Sequence, residues 1–310
     1  MKHYFITGGC GFIGSHLVDS LLADGHSVTV LDDLSSGQRS HLDPRATLVV
    51  GDVADSGLVK KCMEKADGCF HLAAIASVVR SNEHWLETHR TNLTGSITVF
   101  DAARARDSTA TIPVVYASSA AVYGNAFEVP LLETMPLRPL TAYGADKLGS
   151  EVHAQVAWSV HRVPSTGLRF FNVYGPRQTP QSPYSGVISI FVERIAMQQP
   201  VTIHGDGLQV RDFIYVSDVV TALRAAMDRT IKDANVYNVC TGRATSILDL
   251  QQQVANCLNI PAITIYGPPR LGDIRQSIGS PMASIAALGV TAHITVANGL
   301  SHLIAATARK

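Results

Sequence analysis

Six short runs in the first 170 residues are apolar or β-branched almost throughout: His3–Thr7, Ser27–Leu31, Thr47–Val50, Cys69–Leu72, Ile112–Ala117 and Ser165–Phe170. Between them lie longer amphipathic stretches near Phe12–Ala23, Ser56–Glu64, Asn82–Arg106 and Ala142–Val160. A strand with one wet face alternates apolar and polar residues, whereas a strand apolar throughout is covered on both faces. The pattern therefore predicts an α/β fold, a doubly wound parallel sheet of Rossmann type with helices on either side. Such sheets bind ligands beyond the carboxyl ends of their strands, near the point where strand order reverses. After Asn172 the alternation breaks, Pro and Gly cluster at 176–186, and the elements shorten. Residues 172–205 and 242–310 read as a smaller α/β lobe. Residues 206–241, with strand-like Phe213–Val216 and Val236–Cys240, are expected to return to the main sheet and join 1–171 in one domain.

Composition narrows the class. The chain has 310 residues, 46% of them hydrophobic and 16% charged, enough to bury a large core. Lys plus Arg equals Asp plus Glu at 25 each, which leaves no electrostatic footprint for nucleic acid or an anionic membrane. Any anion must be held by a few placed groups. The 5 cysteines show no C-x-x-C and no regular spacing, so the expectation is reduced thiols in a cytoplasmic protein. No basic region followed by an apolar stretch opens the chain, no apolar run is long enough to span a bilayer, and no residue spacing points to a metal.

Two motifs carry the candidate chemistry. Thr7-Gly-Gly-Cys-Gly-Phe-Ile-Gly14 follows the first strand and opens the first helix, and contains both G-x-G-x-x-G (Gly9, Gly11, Gly14) and G-x-x-G-x-x-G (Gly8, Gly11, Gly14). Glycine permits the tight turn and lets a pyrophosphate approach backbone N–H groups at a helix N-terminus. The second strand ends in Leu31-Asp32-Asp33; Asp32 suits the ribose hydroxyls of NAD and would repel the 2′-phosphate of NADP. Asp52, after the third strand, is either an acceptor for the adenine amine or simply an acidic turn residue.

Tyr143 and Lys147 stand four residues apart on a predicted helix, 24 residues after the hydroxyl pair Ser118-Ser119. Residues at this spacing share a helix face, so the ammonium can reach under the phenol. A free Tyr titrates near pH ~10, and lowering that by ~3 units takes roughly 4 kcal/mol, a demand that Lys147 and a cationic nicotinamide can meet together. Alone, Y-x-x-x-K describes many solvated helix pairs; with the glycine loop and Asp32 it points to proton and hydride transfer at a hydroxyl.

Taken together these motifs resemble the extended short-chain dehydrogenase/reductase family, and within it the nucleotide-sugar 4-epimerases of the UDP-glucose 4-epimerase kind. The resemblance extends through His71-Leu-Ala-Ala74, Tyr116–Gly124, Tyr143–Lys147, Leu168–Pro176, Gly205–Phe213 and Arg270-Leu-Gly-Asp273, nearly the whole length. It implies that Ser119, Tyr143 and Lys147 are catalytic. It implies an NAD site of Gly8, Gly11, Phe12, Ile13, Gly14, Asp32, Asp33, Ser36, Gly37, Asp52, Val53, Leu72, Ala73, Ala74, Ala76, Asn92 and Phe170, besides Tyr143 and Lys147. For the nucleotide sugar it implies Ser77, Ser118, Ser119, Asn172, Val187, His204, Arg211, Arg270, Asp273 and Ser277. Two forked guanidiniums, Arg211 and Arg270, suit a pyrophosphate. His204 falls where the family commonly has Phe or Tyr against uracil, a departure that leaves the base open. The resemblance further implies a homodimer built on the helices around 82–106 and 142–162, with Val152, Val156, Trp158 and Val160 as apolar surface.

The residues after Ser119 separate subclasses. The related 4,6-dehydratases place Asp-Glu where this chain has Ala120-Ala121, and the decarboxylases carry a Glu at the second position. Elimination needs that extra acid/base pair, and alanines cannot transfer protons. The implied reaction is redox at C4 alone: Tyr143 takes the O4 proton, a hydride leaves for NAD⁺, and the 4-keto sugar turns over and receives it on its other face. Ser277 falls at the size gate beside C2, where a small residue admits N-acetylhexosamines; Ser77 and Pro183–Ile188 also look like members that handle N-acetylated sugars. UDP-glucuronate 4-epimerization shares the core residues and needs a C6-carboxylate contact; Arg80 and Arg177 lie near the family's substrate loops, but nothing in the sequence aims either at C6. A reading of another class is a nucleotide-sensing protein that kept the fold without catalysis.

Overall fold

The computed structural model describes residues 1–105, 110–178, 186–230, 232–269 and 274–307. Its main sheet has seven parallel strands: β1 (His3–Thr7), β2 (Ser27–Asp32), β3 (Thr47–Val50), β4 (Gly68–His71), β5 (Val114–Ser119), β6 (Ser165–Phe170) and the edge strand Ala234–Val239. They lie in the order Ala234–Val239, β6, β5, β4, β1, β2, β3. The order reverses at β1, flanked by β2 and β4, so the crevice opens beyond the carboxyl ends of β1 and β4. The doubly wound parallel sheet expected from the apolar runs is present.

Both faces of the sheet are covered. Tyr4 and Ile6 point into one cluster with Leu17, Val18 and Leu223; Phe5 points into the other with Val99, Tyr116 and Ala154. That is the period-2 alternation of a strand, buried on both sides. A separate cluster gathers Phe191, Ile203, Phe213, Leu250 and Leu300 from the later elements. Among the described residues no helix is long and apolar enough to cross a membrane. All five cysteines are free.

Two expectations need correction. The single helix over Asn82–Arg106 is a series: Val78–Glu83, Trp85–His89, a π-helical turn Arg90–Thr94, then Gly95–Ala102, while Arg106 lies outside the described residues. His84, at φ −119° and ψ 59°, leaves the helical region and starts the break. Hydroxyls then bond back along the helix, Ser96 Oγ to Asn92 O at 2.6 Å and Thr98 Oγ1 to Thr94 O at 2.9 Å. Of the two returning strands, Ala234–Val239 joins the main sheet beside β6, but Phe213–Tyr215 pairs with Asn172–Tyr174 in a separate two-stranded ladder. Asn172–Tyr174 has already left β6, and Phe213 is in register with Asn172, so the pair forms outside.

A buried ion pair ties the elements that bear the motifs. Arg169 on β6 and Glu151 on the helix Ala142–His161 are 3% and 5% exposed. Arg169 Nε and Nη2 donate to Glu151 Oε1 and Oε2 at 2.9 and 2.8 Å. Its Nη1 donates to Tyr123 Oη at 2.8 Å, and Tyr123 donates onward to Asn238 Oδ1 at 2.7 Å on the edge strand. Burial opposes the Arg169 charge, but the Glu151 carboxylate outweighs it and raises the guanidinium above its ordinary value. Replacing one partner leaves the other charged and alone, so Arg169→Met should cost about 3–5 kcal/mol in urea unfolding. The double replacement Arg169→Met/Glu151→Leu should recover most of that loss.

Candidate functional site

The crevice runs along the carboxyl ends of the central strands. Gly8, Gly11, Phe12, Ile13 and Gly14 line it, with Asp32, Asp33, Ser36, Gly37 and Val53 at one end and Leu72, Ala73, Ala74 and Ala76 along the wall. Tyr143, Lys147 and Phe170 stand at the other end. Gly8 sits at φ +73°, and a Cβ there would lie 2.7 Å from Ala73 N. A Cβ on Gly14 would lie 2.2 Å from Gly8 O, so the loop closes on its helix only with glycine. The N-cap of the helix Phe12–Ala23 is Gly11, and no side chain occupies its first-turn N–H groups. An uncapped twelve-residue helix opening into a cleft over a glycine loop fits a dinucleotide pyrophosphate.

Asp32 accepts from Cys10 N and Leu34 N, both at 2.9 Å, at the end of β2. Burial pushes its carboxyl up, and the two N–H bonds pull it back part of the way. Two expected cofactor residues have protein partners. The carboxylate of Asp52 pairs with Arg90 at 2.8 Å and accepts from Ala54 N at 2.8 Å. Asn92 is fully buried; its Oδ1 accepts from Ile75 N at 2.8 Å and its Nδ2 donates to Ile75 O at 3.2 Å, so it fixes the cleft wall through the backbone. Sequence reasoning missed Ser35, Ile75, Thr91 and Ala117, which also line the cleft. Each neighbours a residue that the motifs do contain.

At the sugar end, Ser119 closes β5. Its Oγ accepts from Ala121 N at 3.1 Å, capping the 3₁₀ turn Ala120–Tyr123, and the hydroxyl is near enough to the Tyr143 phenol to favour its ionised form. Thr141 caps the next helix by accepting from Gly144 N at 3.0 Å, which places Tyr143 in the first turn facing the cleft. Lys147 is 2% exposed; its Nζ donates to Ala117 O at 2.8 Å and lies 5.8 Å from the Tyr143 ring centroid. Burial lowers Lys147 to about 8, opposed by Asp146. Burial raises the Tyr143 phenol, and the Ser119 hydrogen bond pulls it back only in part. The ammonium is engaged with the Ala117 carbonyl, and burial leaves the phenol above its ordinary value.

His71, at the end of β4, underlies this arrangement. Thr7 Oγ1 lies 2.7 Å from Nδ1 and Ser96 Oγ 3.0 Å from Nε2. Ser96 spends its proton on Asn92 O, so Nε2–H donates to Ser96 and Nδ1 accepts from Thr7. Burial, with Lys147 nearby, pushes this imidazole down to about 3, and it is neutral throughout the physiological range.

The expected sugar-nucleotide residues are sorted less evenly. Arg211 and Ser277 are register partners on neighbouring parallel strands, so their side chains share a face. Arg211 Nη1 donates to Ile274 O at 2.6 Å. Beneath them Asp212, fully buried, accepts from Thr241 N and Oγ1 and from Gly242 N at 2.7–2.8 Å, and its own carbonyl accepts from Asn172 N at 2.9 Å. Asp212 stands inside the Gly205–Phe213 motif but drew no notice as a carboxylate that needs partners when buried. His204 Nδ1 donates to Pro268 O at 3.2 Å and borders a second cleft with Gln209 and Arg275. Val187 opens the helix Val187–Ala196. Ser77 caps the helix Val78–Glu83, accepting from Arg80 N at 3.0 Å, and Ser118, which lines the cleft, donates to Glu151 Oε1 at 2.5 Å. Arg270, Asp273 and residues 183–185 lie outside the described residues.

A switch-point cleft with a glycine loop, a strand-end Asp and a Ser–Tyr–Lys set defines a dinucleotide-dependent enzyme of the extended short-chain dehydrogenase/reductase class. The chain belongs to the NAD dependent epimerase/dehydratase family, whose model matches residues 4–240. It is 35% identical over 306 residues to a UDP-glucose 4-epimerase of Mycolicibacterium smegmatis, covering 96% of each chain. Its fold superposes on the Thermotoga maritima UDP-glucose 4-epimerase with UDP-glucose at a TM-score of 0.94, with 33% identity over 99% of both chains. The UDP-N-acetylglucosamine 4-epimerase of Methanobrevibacter ruminantium, in complex with UDP-N-acetylmuramic acid, gives 0.93 at 31% identity, covering 99% of this chain and 98% of that one. NAD is the family's cofactor, and the residues of the cleft fit it.

Gly14→Ala tests the loop directly. The added methyl must displace Gly8 O or the helix start, so NADH binding, read by fluorescence titration, should weaken at least ~10-fold while the fold survives.

Proposed function

We propose that this protein is a UDP-hexose 4-epimerase, acting on UDP-glucose and UDP-galactose and also on their N-acetylated counterparts. The observation that carries the reading is the Ser119–Tyr143–Lys147 set at one end of the NAD cleft, with alanines at 120 and 121 beside it. Bound NAD supplies the acceptor and donor of the hydride at C4. Ser119 holds the sugar O4 against the Tyr143 phenol, and Tyr143 removes and returns its proton. Lys147 contributes the positive charge that the phenolate needs in a desolvated site. Ala120 and Ala121 transfer no proton, which keeps elimination out of the reaction. Arg211, beside Ser277, is suited to one side of the pyrophosphate, and the elements of 172–205 and 242–310 form the lobe that receives the nucleotide. The Thermotoga relative's UDP-glucose supports uracil as the base.

The glucuronate reading has less support. Arg177 is paired with Asp19 at 2.7 Å and Arg80 with Glu87, so both guanidiniums have partners away from a C6 carboxylate. The exposed stripe Val152, Val156 and Val160 at four-residue spacing, close to exposed Ile97, supports a homodimer.

Tyr143→Phe should lower turnover of UDP-glucose at least ~100-fold while NAD stays bound, since general acid–base groups contribute about 10²–10⁴-fold. A wild-type rate in that variant would sink the assignment. Ser277→Tyr should remove activity on UDP-N-acetylglucosamine and spare UDP-glucose, a discrimination of ~1–3 kcal/mol; equal activity on both would release Ser277 from its role as gate.

A further inference from the structure

Four polar side chains behind the cleft wall are at most 2% exposed: Thr7, His71, Asn92 and Ser96. They come from β1, β4, the π-helical turn and the helix Gly95–Ala102. Ala73 N donates to Thr7 Oγ1 at 3.2 Å, and Thr7 Oγ1 lies 2.7 Å from His71 Nδ1. His71 Nε2 lies 3.0 Å from Ser96 Oγ, which donates to Asn92 O at 2.6 Å. The Asn92 side chain then returns to the wall, bonding Ile75 N and O at 2.8 and 3.2 Å. A chain of hydrogen bonds that leaves the wall at Ala73 thus comes back to it at Ile75.

The protons in this ring have one arrangement that satisfies every member. Ser96 spends its single proton on a carbonyl, so toward His71 it can only accept. Nε2 therefore carries the imidazole proton, and Nδ1 offers its lone pair to the Thr7 hydroxyl. Thr7, its own proton spent, accepts from Ala73 N. A proton on Nδ1 would leave the Thr7 hydroxyl proton without its acceptor, and burial holds the ring neutral. Ser150 Oγ, on the helix of Tyr143 and Lys147, lies 2.9 Å from Ser96 Oγ and joins the ring from that side. Packing alone gives no reason for an imidazole here, since an apolar side chain fills such a space without needing partners.

The wall is also where small displacements matter. A Cβ on Gly8 would lie 2.7 Å from Ala73 N and 2.9 Å from Leu72 C, so wall and glycine loop already meet at closest approach. Leu72 through Ala76 line the same cleft. A wall that moved inward would strike Gly8, and one that moved outward would widen the slot.

We propose that His71, as the neutral Nε2–H tautomer, is a positioning residue for NAD: it closes the ring from Ala73 to Ile75 and fixes the cleft wall against the glycine loop. The choice of sugar plays no part in this role, which stands even if the 4-epimerase reading falls.

The test uses the full-length chain. In wild-type protein loaded with NAD and labelled with ¹⁵N-histidine, the His71 signals are assigned with His71→Gln. They should show a protonated Nε2 and a lone pair on Nδ1 between about pH 5 and 8, where a free imidazole titrates. A proton on Nδ1 anywhere in that range would overturn the proposal. The second arm is NADH affinity, read by fluorescence titration. Thr7→Val and Ser96→Ala each open the ring at one hydroxyl and should each weaken NADH about 10-fold, within the range for leaving a buried polar group unpaired. The double variant should bind no worse than the poorer single one, because a ring is opened only once. Losses that multiply would mean separate braces and overturn the ring. Thr7→Ser returns the hydroxyl and should recover the affinity lost in Thr7→Val. A lower urea midpoint with wild-type NADH affinity would make the ring purely structural and remove the positioning role. Should Thr7→Val not fold, Ser96→Ala and the wild-type tautomer decide the matter.

Discussion

The bidentate contact between Arg169 and Glu151 fixes the geometry on which the site depends. The helix of Tyr143 and Lys147, the end of β5, the turn that carries Ala120 and Ala121, and the edge strand all meet at one guanidinium–carboxylate pair. A fork of fixed shape tolerates little rotation, so it constrains how far the helix can slide along the sheet. Ser118 is the link to chemistry. Its hydroxyl is held by Glu151 beneath the sheet surface, and the next residue, Ser119, is therefore presented to the phenol at the strand end. A buried ion pair is a weak source of net stability, and here its effect is on position, since it sets where Ser119 and Tyr143 meet.

The electrostatics of the site show why its residues are arranged in layers. Desolvation acts on every ionisable group there in the direction of neutrality: Tyr143 and Asp32 upward, Lys147 and His71 downward. The groups answer it differently. Asp32 is steadied by two backbone N–H donors, His71 gives up its charge and becomes a pure hydrogen-bond relay, and Lys147 has a carbonyl and an adjacent carboxylate. Tyr143 has the Ser119 hydroxyl. The phenol is thus the group that the protein leaves protonated, and further positive charge at this end of the cleft is what moves it toward phenolate.

Much of this was legible in the chain. β1, β3, β6 and the helix Phe12–Ala23 fall at the expected bounds, because continuous apolar runs and the glycine-rich helix start are local signals. The glycine loop and the Tyr143–Lys147 spacing located both ends of the cleft for the same reason. What local pattern does not encode is partner choice. Asp52, Ser77 and Ser118 each make a bond that no pattern announces: to Arg90, the Arg80 N–H and Glu151. The pairing of Phe213 with Asn172 depends on the exit of one strand from the sheet, 41 residues earlier in the chain, and no periodicity reports it. The break at His84 is similar, since the helical pattern continues through it while the backbone does not.

The residues that escaped notice share a property that explains the miss. Asp212 and Asp146 are acids inside matched motifs, where charge is ordinarily read as solvent-facing or ligand-facing. Both are buried, and they differ in satisfaction. Asp212 accepts from a hydroxyl and backbone N–H groups, so its carboxylate is complete and its task is to hold the Arg211 strand against the Thr241–Gly242 turn and Asn172. Asp146 has one oxygen bonded and one bare. A completed buried carboxylate is architecture, since nothing remains for it to bind or influence. An incomplete one leaves a buried polar atom uncompensated, and the group bonded to this carboxylate is His89 at 2.8 Å.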